Sequence, residues 1–288
     1  MRQTALFLVL FLLHSAVFSA STWAYLISTD VDADLVKADP DAAYWHAVKP
    51  EVIPLLAQPM VLPRPKTTTT AALEVQSVHN HDWIAFRLRW KDTDKSVAGK
   101  LGEFSDAVAL EFPVIEKESP PPVFMGFPGD PVHIFHWRAQ YQRDKEEGKP
   151  EMKQLYPNLN IDIYPMEYPD WGNLQRASDQ ARESFSPGKA VGNPQSYQKT
   201  GVDEIIAEGF STSAVFDAHD ADGKGLWSNG EWVVVIARPL RREGGSVLTV
   251  GKDAFIGFAV WQGGAGEVGA RKSVTMMWTP LKLVQGHQ

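Results

Sequence analysis

Five groups of side chains in this 288-residue chain have types and spacings that could do chemistry: His79 with His81, His133 with His136, the acidic run Asp217–Gly223, Met125, and Lys272 beside Arg271. The histidine pairs suggest metal chelation. Residues three apart in a strand project from opposite faces, however, so His133 and His136 do not share an ion. His79 and His81 sit in a turn without a supporting carboxylate motif, and a structural role is the better reading. Asp217-Ala-His-Asp-Ala-Asp-Gly223 has part of the spacing of a calcium loop but too few oxygen ligands and no downstream glutamate at the required distance, so it reads as a turn. Met125 lies in the loop Pro121–Asp130, just ahead of an apolar strand. Lys272 stands where a second apolar strand begins, after the glycine-rich stretch Gly263–Gly269. Taken singly, such a methionine is apolar filler and such a lysine is solvated. If Lys272 faces inward, its charge must be compensated or its lone pair used.

Other chemistries lack their residues. There is no Gly-x-Ser-x-Gly elbow, no His-Glu-x-x-His and no phosphate or dinucleotide loop. Cysteine is absent, which excludes thiolate catalysis, cysteine zinc sites, iron–sulfur ligation and covalent c-type haem. The net charge of -7, with no basic stripe, argues against nucleic acid as a partner. Ten tryptophans could form a sugar-stacking platform on an exported sandwich, a carbohydrate-binding module without cofactor. The alternation around Trp83, Trp90, Trp232 and Trp261 instead favours core packing.

The elements that must position these residues are strands. Ala72–Val78 and Trp83–Trp90 alternate apolar and polar residues around the turn His79–Asp82 and form a hairpin. Asp106–Phe112, Val132–Arg138, Ala207–Val215, Glu231–Arg238, Ala254–Trp261 and Ser273–Leu283 read as further strands. Pro54–Pro65, with four prolines, is an extended edge or loop. The acidic arm ending in Asp39-Pro-Asp-Ala-Ala-Tyr-Trp45 is expected to tuck Trp45 into the core. Residues 140–210 are rich in Pro, Gly, Asn, Gln and charge, with a short helix expected near Gln140–Glu147, and read as an insertion. Many short strands and little helix predict an all-β fold, an antiparallel β-sandwich with a long irregular insertion. Residues 1–24 carry one charge, an apolar run and small residues, the pattern of a cleaved export signal. An uncleaved anchor is the alternative, since the apolar run could extend to Ile27, but His14 interrupts it and cleavage is the preferred reading. An exported single domain over 25–288 is expected.

Several segments together resemble the haem b-binding gamma subunits of periplasmic type II enzymes of the dimethyl sulfoxide reductase family. That group includes ethylbenzene dehydrogenase, selenate and chlorate reductases, dimethyl sulfide dehydrogenase, and related nitrate reductase and nitrite oxidoreductase complexes. The segments are Asp39-Pro…Trp45, the hairpin ending in Trp90-Lys-Asp92, Phe104-Ser-Asp-Ala-Val-Ala109, Met125-Gly126 followed by Ile134-Phe-His-Trp137, Gly225-Leu-Trp227, Gly230–Leu240, Phe258-Ala-Val-Trp261 and Lys272-Ser-Val274. The resemblance implies a monohaem b-type cytochrome subunit, not itself catalytic. Met125 and Lys272 match the family's two axial ligands. Met276, Met277 and Lys282 are fallbacks, and His133 and His136 are rivals to Met125, since histidine is the commoner haem ligand. The implied partners are a molybdopterin catalytic subunit, an iron–sulfur subunit and a soluble periplasmic carrier such as a c-type cytochrome. The Gly263–Gly269 turn is expected to bring backbone close to the porphyrin edge.

Overall fold

The computed structural model describes residues 25–118, 120–150, 152–158, 188, 191, 200–216 and 220–286. The proposed signal, most of the 140–210 insertion and Asp217–His219 lie outside the described residues. Fourteen strands are present: β1 Leu26–Asp30, β2 Glu51–Pro54, β3 Leu56–Ala57, β4 Ala72–His79, β5 Trp83–Lys91, β6 Ala107–Pro113, β7 Val132–Arg138, β8 Val202–Ala207, β9 Ala214–Val215, β10 Asp222–Ser228, β11 Glu231–Pro239, β12 Asp253–Trp261, β13 Ser273–Val274 and β14 Thr279–Leu283. Among the described residues helix is confined to short pieces, of which α1, Ala139–Glu146, is the expected one. No helix among the described residues is long and apolar enough to cross a membrane.

The strands form two sheets joined through β12. Residues Asp253–Ile256 of β12 pair with β14 in the order β10-β11-β5-β4-β1-β14. Residues Gly257–Trp261 pair with β6 in the order β6-β7-β8-β9, and β13 lies on their other side. Pairing is antiparallel except at β1, which runs parallel to both β4 and β14. Even-numbered residues of β4's partner β5 (Ile84, Phe86, Leu88, Trp90) meet Val108, Leu110 and Phe112 of β6 and Phe135 and Trp137 of β7 in one core. The rings interlock across it, Trp137 edge-on to Trp232 at 5.2 Å and Phe86 against Phe112 at 5.8 Å. Fully burying such a ring stabilises the fold by about 2–3 kcal/mol.

Each sheet also has a covered outer face. The N-terminal arm lies over the first sheet, placing Leu35 and Trp45 against Val78, Ala85, Val235 and Ala237. Trp45 is buried there and donates its indole N–H to the Asp39 carbonyl at 2.9 Å. The outer face of the second sheet carries Ala107, Ala109, Ile134, Ala259 and Trp261, with Met125 packed on them.

Two expected strands and one expected turn change. Ala207–Val215 is not continuous: β8 ends at Ala207 and β9 starts at Ala214, because Gly209 (φ 123°) and Ser211 (φ 68°) turn the chain between them. Ser273–Leu283 breaks into β13 and β14 where residues 275–278 leave the ladder. Strand β10 begins at Asp222, inside the stretch Asp217–Gly223 that the sequence suggested as a turn. Its glycines are needed for contact: a Cβ at Gly225 would lie 2.5 Å from the Trp137 ring.

Candidate functional site

Alternation along the second sheet builds the site. On β6, β7 and β12 one set of side chains enters the core, and the other set (Ala107, Ala109, Glu111; Ile134, His136, Arg138; Ala259, Trp261) faces outward. Cross-strand pairing puts Ala109 between His136 and Ala259 and puts Glu111 beside Ile134. The alanines leave a low floor. Around it rise the segment after β3, the loop before β7, the turn between β8 and β9, and the entry to β13. The result is a cavity of about 320 Å³, within the size range of small-molecule sites. A second cavity of about 50 Å³ shares Gln58, Glu111, Met125, Phe210, Phe258, Ala259 and Lys272 with it.

Met125 and Lys272, far apart in sequence, line both cavities. Met125 has φ 59°, in the left-handed region that non-glycine residues seldom occupy. The neighbours hold it there. Its carbonyl accepts the Gly209 N–H at 2.7 Å. Gly126 follows at φ 73°, and a Cβ on it would lie 2.6 Å from the Ala207 carbonyl oxygen, so only glycine fits. Lys272 immediately precedes β13, and its carbonyl accepts the Gln58 N–H at 3.1 Å. The Gln58 side chain accepts the Met60 and Val61 N–H groups at 2.9 and 3.0 Å, which pins that segment as one wall.

Lys272 therefore faces inward. Its Nζ lies 4.8 Å from the centre of the Trp261 ring. Burial holds its pKa below the ordinary 10.5, with Glu111 opposing. Burial pushes Glu111 up to about 7 against the pull of Lys272 and the Met125 N–H. Glu111 Oε1 is buried without a hydrogen-bond partner, and so is His136 Nε2. The His136 ring stacks on Trp261 at 4.6 Å, and burial, then Arg138 and Lys272, hold its pKa well below 6.5. Both atoms belong to side chains that line the cavity, where a bound group could reach them.

The remaining sequence candidates lie elsewhere. His133 faces the core, between Phe135 and Phe216, as the strand geometry required. His79 is buried and bonds Ser28 at 3.1 Å, while His81 is solvent-facing beside Asp82. Met277 and Lys282 are exposed, and Met276 packs at the cluster without lining the cavity. No group of three metal-ligating His, Cys, Asp or Glu side chains occurs among the described residues. Of the eight described tryptophans, Trp83, Trp227 and Trp278 are half-buried and the other five are buried. Of the glycine turn, Gly269 lines the cavity, but Gly263 serves another contact: its Cβ would sit 2.1 Å from the Phe104 carbonyl oxygen. Glu111 was not singled out from sequence. A glutamate alternating with Ala107 and Ala109 looks like a solvent face, and the two alanines beside it were the only sign of something lying over them.

The donor set fits a haem. A thioether and a buried amine line one apolar space formed by Ile134, Ile205, Phe210, Phe258 and Trp261, with partnerless polar atoms at its edge. A protein of Haloferax mediterranei named for the heme subunit of a respiratory nitrate reductase is 24% identical over 82% of this chain and 65% of its own length, so the chain spans just under two thirds of that relative. The chlorate reductase subunit gamma of Ideonella dechloratans is 28% identical over 85% of this chain and 79% of that one. The dimethylsulfide dehydrogenase subunit gamma of Rhodovulum sulfidophilum is 23% identical over 83% and 73%. A family 9 carbohydrate binding module of Caldicellulosiruptor kristjanssonii aligns with a TM-score of 0.41 at 8% identity over 92% of this chain and 97% of that one, a likeness too loose to bear on function. The family model described as ethylbenzene dehydrogenase matches residues 42–273, and the chain belongs to that family.

Proposed function

We propose that this chain is a non-catalytic electron-transfer subunit that binds one haem b in the cavity on the second sheet, with Met125 and Lys272 as the axial ligands. One observation carries the reading: a methionine and an inward lysine from distant parts of the chain line the same aromatic cavity. The relatives' names support the subunit role. Bound there, haem supplies a one-electron iron couple. Were Met125 and Lys272 both to hold the iron, substrate and oxygen would have no place on it.

The chain's own residues do the rest. The soft Met125 thioether favours the reduced metal and raises the potential. Lys272 can ligate only as the neutral amine, and burial already moves it in that direction. Ile134, Ile205 and Phe258 exclude water from around the group. The proposed complex is periplasmic, with residues 1–24 as the export signal. A molybdenum catalytic subunit and an iron–sulfur subunit stand on one side of the electron path and a soluble carrier such as a c-type cytochrome on the other. The test is reconstitution of the purified protein with haem b. A reducible Soret band at one haem per chain is expected, and it should be lost in Met125→Ala and in Lys272→Ala. A protein that stays colourless after haem addition overturns the reading.

A further inference from the structure

Arg138 and His136 stand two residues apart on β7 and both face the cavity. Arg138 is half-buried and has no carboxylate within ion-pair distance among the described residues. Its contacts are the Tyr141 ring, 4.7 Å from the guanidinium carbon, and the His136 ring. The bond between the two side chains is long, 3.4 Å from Arg138 Nη2 to His136 Nδ1, but it fixes a direction. A guanidinium only donates, so Nδ1 is the acceptor and the neutral ring carries its proton on Nε2. Nε2–H is therefore a donor. It belongs to a side chain that is 9% exposed, it has no partner, and its ring lines the cavity. Two donors face one space, one of them cationic, and the cavity's own carboxylate, Glu111, bonds neither of them, so the pair calls for an anion with oxygen atoms. Carboxylate suits a guanidinium fork best.

We propose that Arg138 and His136 form the carboxylate-binding side of the cofactor site and hold the porphyrin's propionate groups, with His136 donating from Nε2 to a propionate and not ligating iron. This rests on the haem reading above. The assignment gives His136 Nε2 a partner and the Arg138 guanidinium a counter-charge. It also separates His136 from the role that histidine most often takes at haem, because a ring whose Nδ1 is occupied and whose Nε2 bears a proton offers the metal no lone pair.

The experiment compares haem b with its propionate dimethyl ester, which keeps the iron and ring but removes both negative charges. Wild-type protein should bind haem b roughly tenfold or more tightly than the ester, the scale of a charged hydrogen-bonded pair. The visible spectra of the two complexes should match. Arg138→Gln and His136→Gln should each weaken haem b selectively, moving the ratio toward one and leaving ester affinity and the spectrum unchanged. Arg138→Lys should keep part of the preference. Equal binding of the two haems by the wild type overturns the proposal without any variant. An unchanged ratio in Arg138→Gln, or an altered axial spectrum in His136→Gln, also overturns it. Failure of the wild type to bind either haem refutes the haem reading itself, a distinguishable result.

Discussion

His133 and His136 stand on one strand and face opposite sides of one sheet, and their surroundings differ in kind. On the inner side, His133 accepts the Ser246 N–H at 3.2 Å, and its Nε2 faces the Glu204 carboxylate at 3.5 Å. Glu204 in turn accepts the Ala221 N–H at 2.8 Å and pairs with Arg242 at 3.4 Å. Arg238, fully buried, lies over Phe112 and Phe135 and donates to Ser246 Oγ at 2.6 Å and to the Ser246 carbonyl at 2.7 Å. On the outer side, His136 and Glu111 keep unpartnered atoms beside a cavity. The inner face sets its polar groups against one another within the protein, with His133 Nε2 and Glu204 Oε2 a close pair that does not hydrogen-bond. The outer face leaves its polar groups open, at a cost in stability that a bound group would recover.

The largest expected effect is on the inner face. Glu204→Ala leaves His133 and Arg242 facing an empty buried site and should lower the stability of the haem-free protein by about 3–5 kcal/mol, measured by urea denaturation. A loss under about 1 kcal/mol would show that the inner network is not structural. Next is Gly126→Ala. It forces a Cβ against the Ala207 and Asp130 carbonyls at a positive φ and should cost about 1–3 kcal/mol. It should also weaken haem binding, because Met125 is positioned by that turn. Normal haem affinity in this variant would separate the turn from the ligand.

The smallest effect, and the sharpest contrast, is in pH dependence. Burial lowers His133 below 6.5, so the folded state resists a proton that the unfolded chain accepts, and stability falls as pH drops below about 6.5. For Glu204, burial alone would raise the pKa, but His133, the Ala221 N–H and Arg242 hold it below 4.5, which extends the acid loss to lower pH. Glu111 has the opposite sign. Its folded pKa is about 7 against 4.5, so stability declines as pH rises between those values. Glu111→Gln should leave haem-free stability near pH 5 within about 1 kcal/mol of wild type. It should then become the more stable protein above pH 7, in thermal melts across that range. A Glu111→Gln profile parallel to wild type from pH 5 to 8 would refute the burial of that carboxylate.

The two faces were not equally legible in the sequence. Where one face of a strand is apolar and the other polar, as in β4 and β5, alternation located the strand within a residue or so. The separation of His133 from His136 followed from the same period. β1 was hidden because Leu26–Asp30 continues an apolar stretch read as an export segment, and its neighbours in the sheet, β4 and β14, are distant in sequence. β10 was hidden because Gly223 and Gly225, present to admit the Trp137 ring, look like turn residues. Met125 and Lys272 could be named from resemblance. His136 was named only as a rival ligand, and Glu111 and Arg138 could not be named, since a polar residue on an alternating strand looks solvated until the loops covering it are placed.

The central claim concerns which atoms hold the iron, and X-ray absorption at the iron edge of the haem-loaded protein addresses it directly. The account predicts one sulfur and five nitrogens around the metal, with the sulfur lost in Met125→Ala. A shell of six nitrogens would contradict it and would put a histidine, His136 being the one in the cavity, in place of Met125.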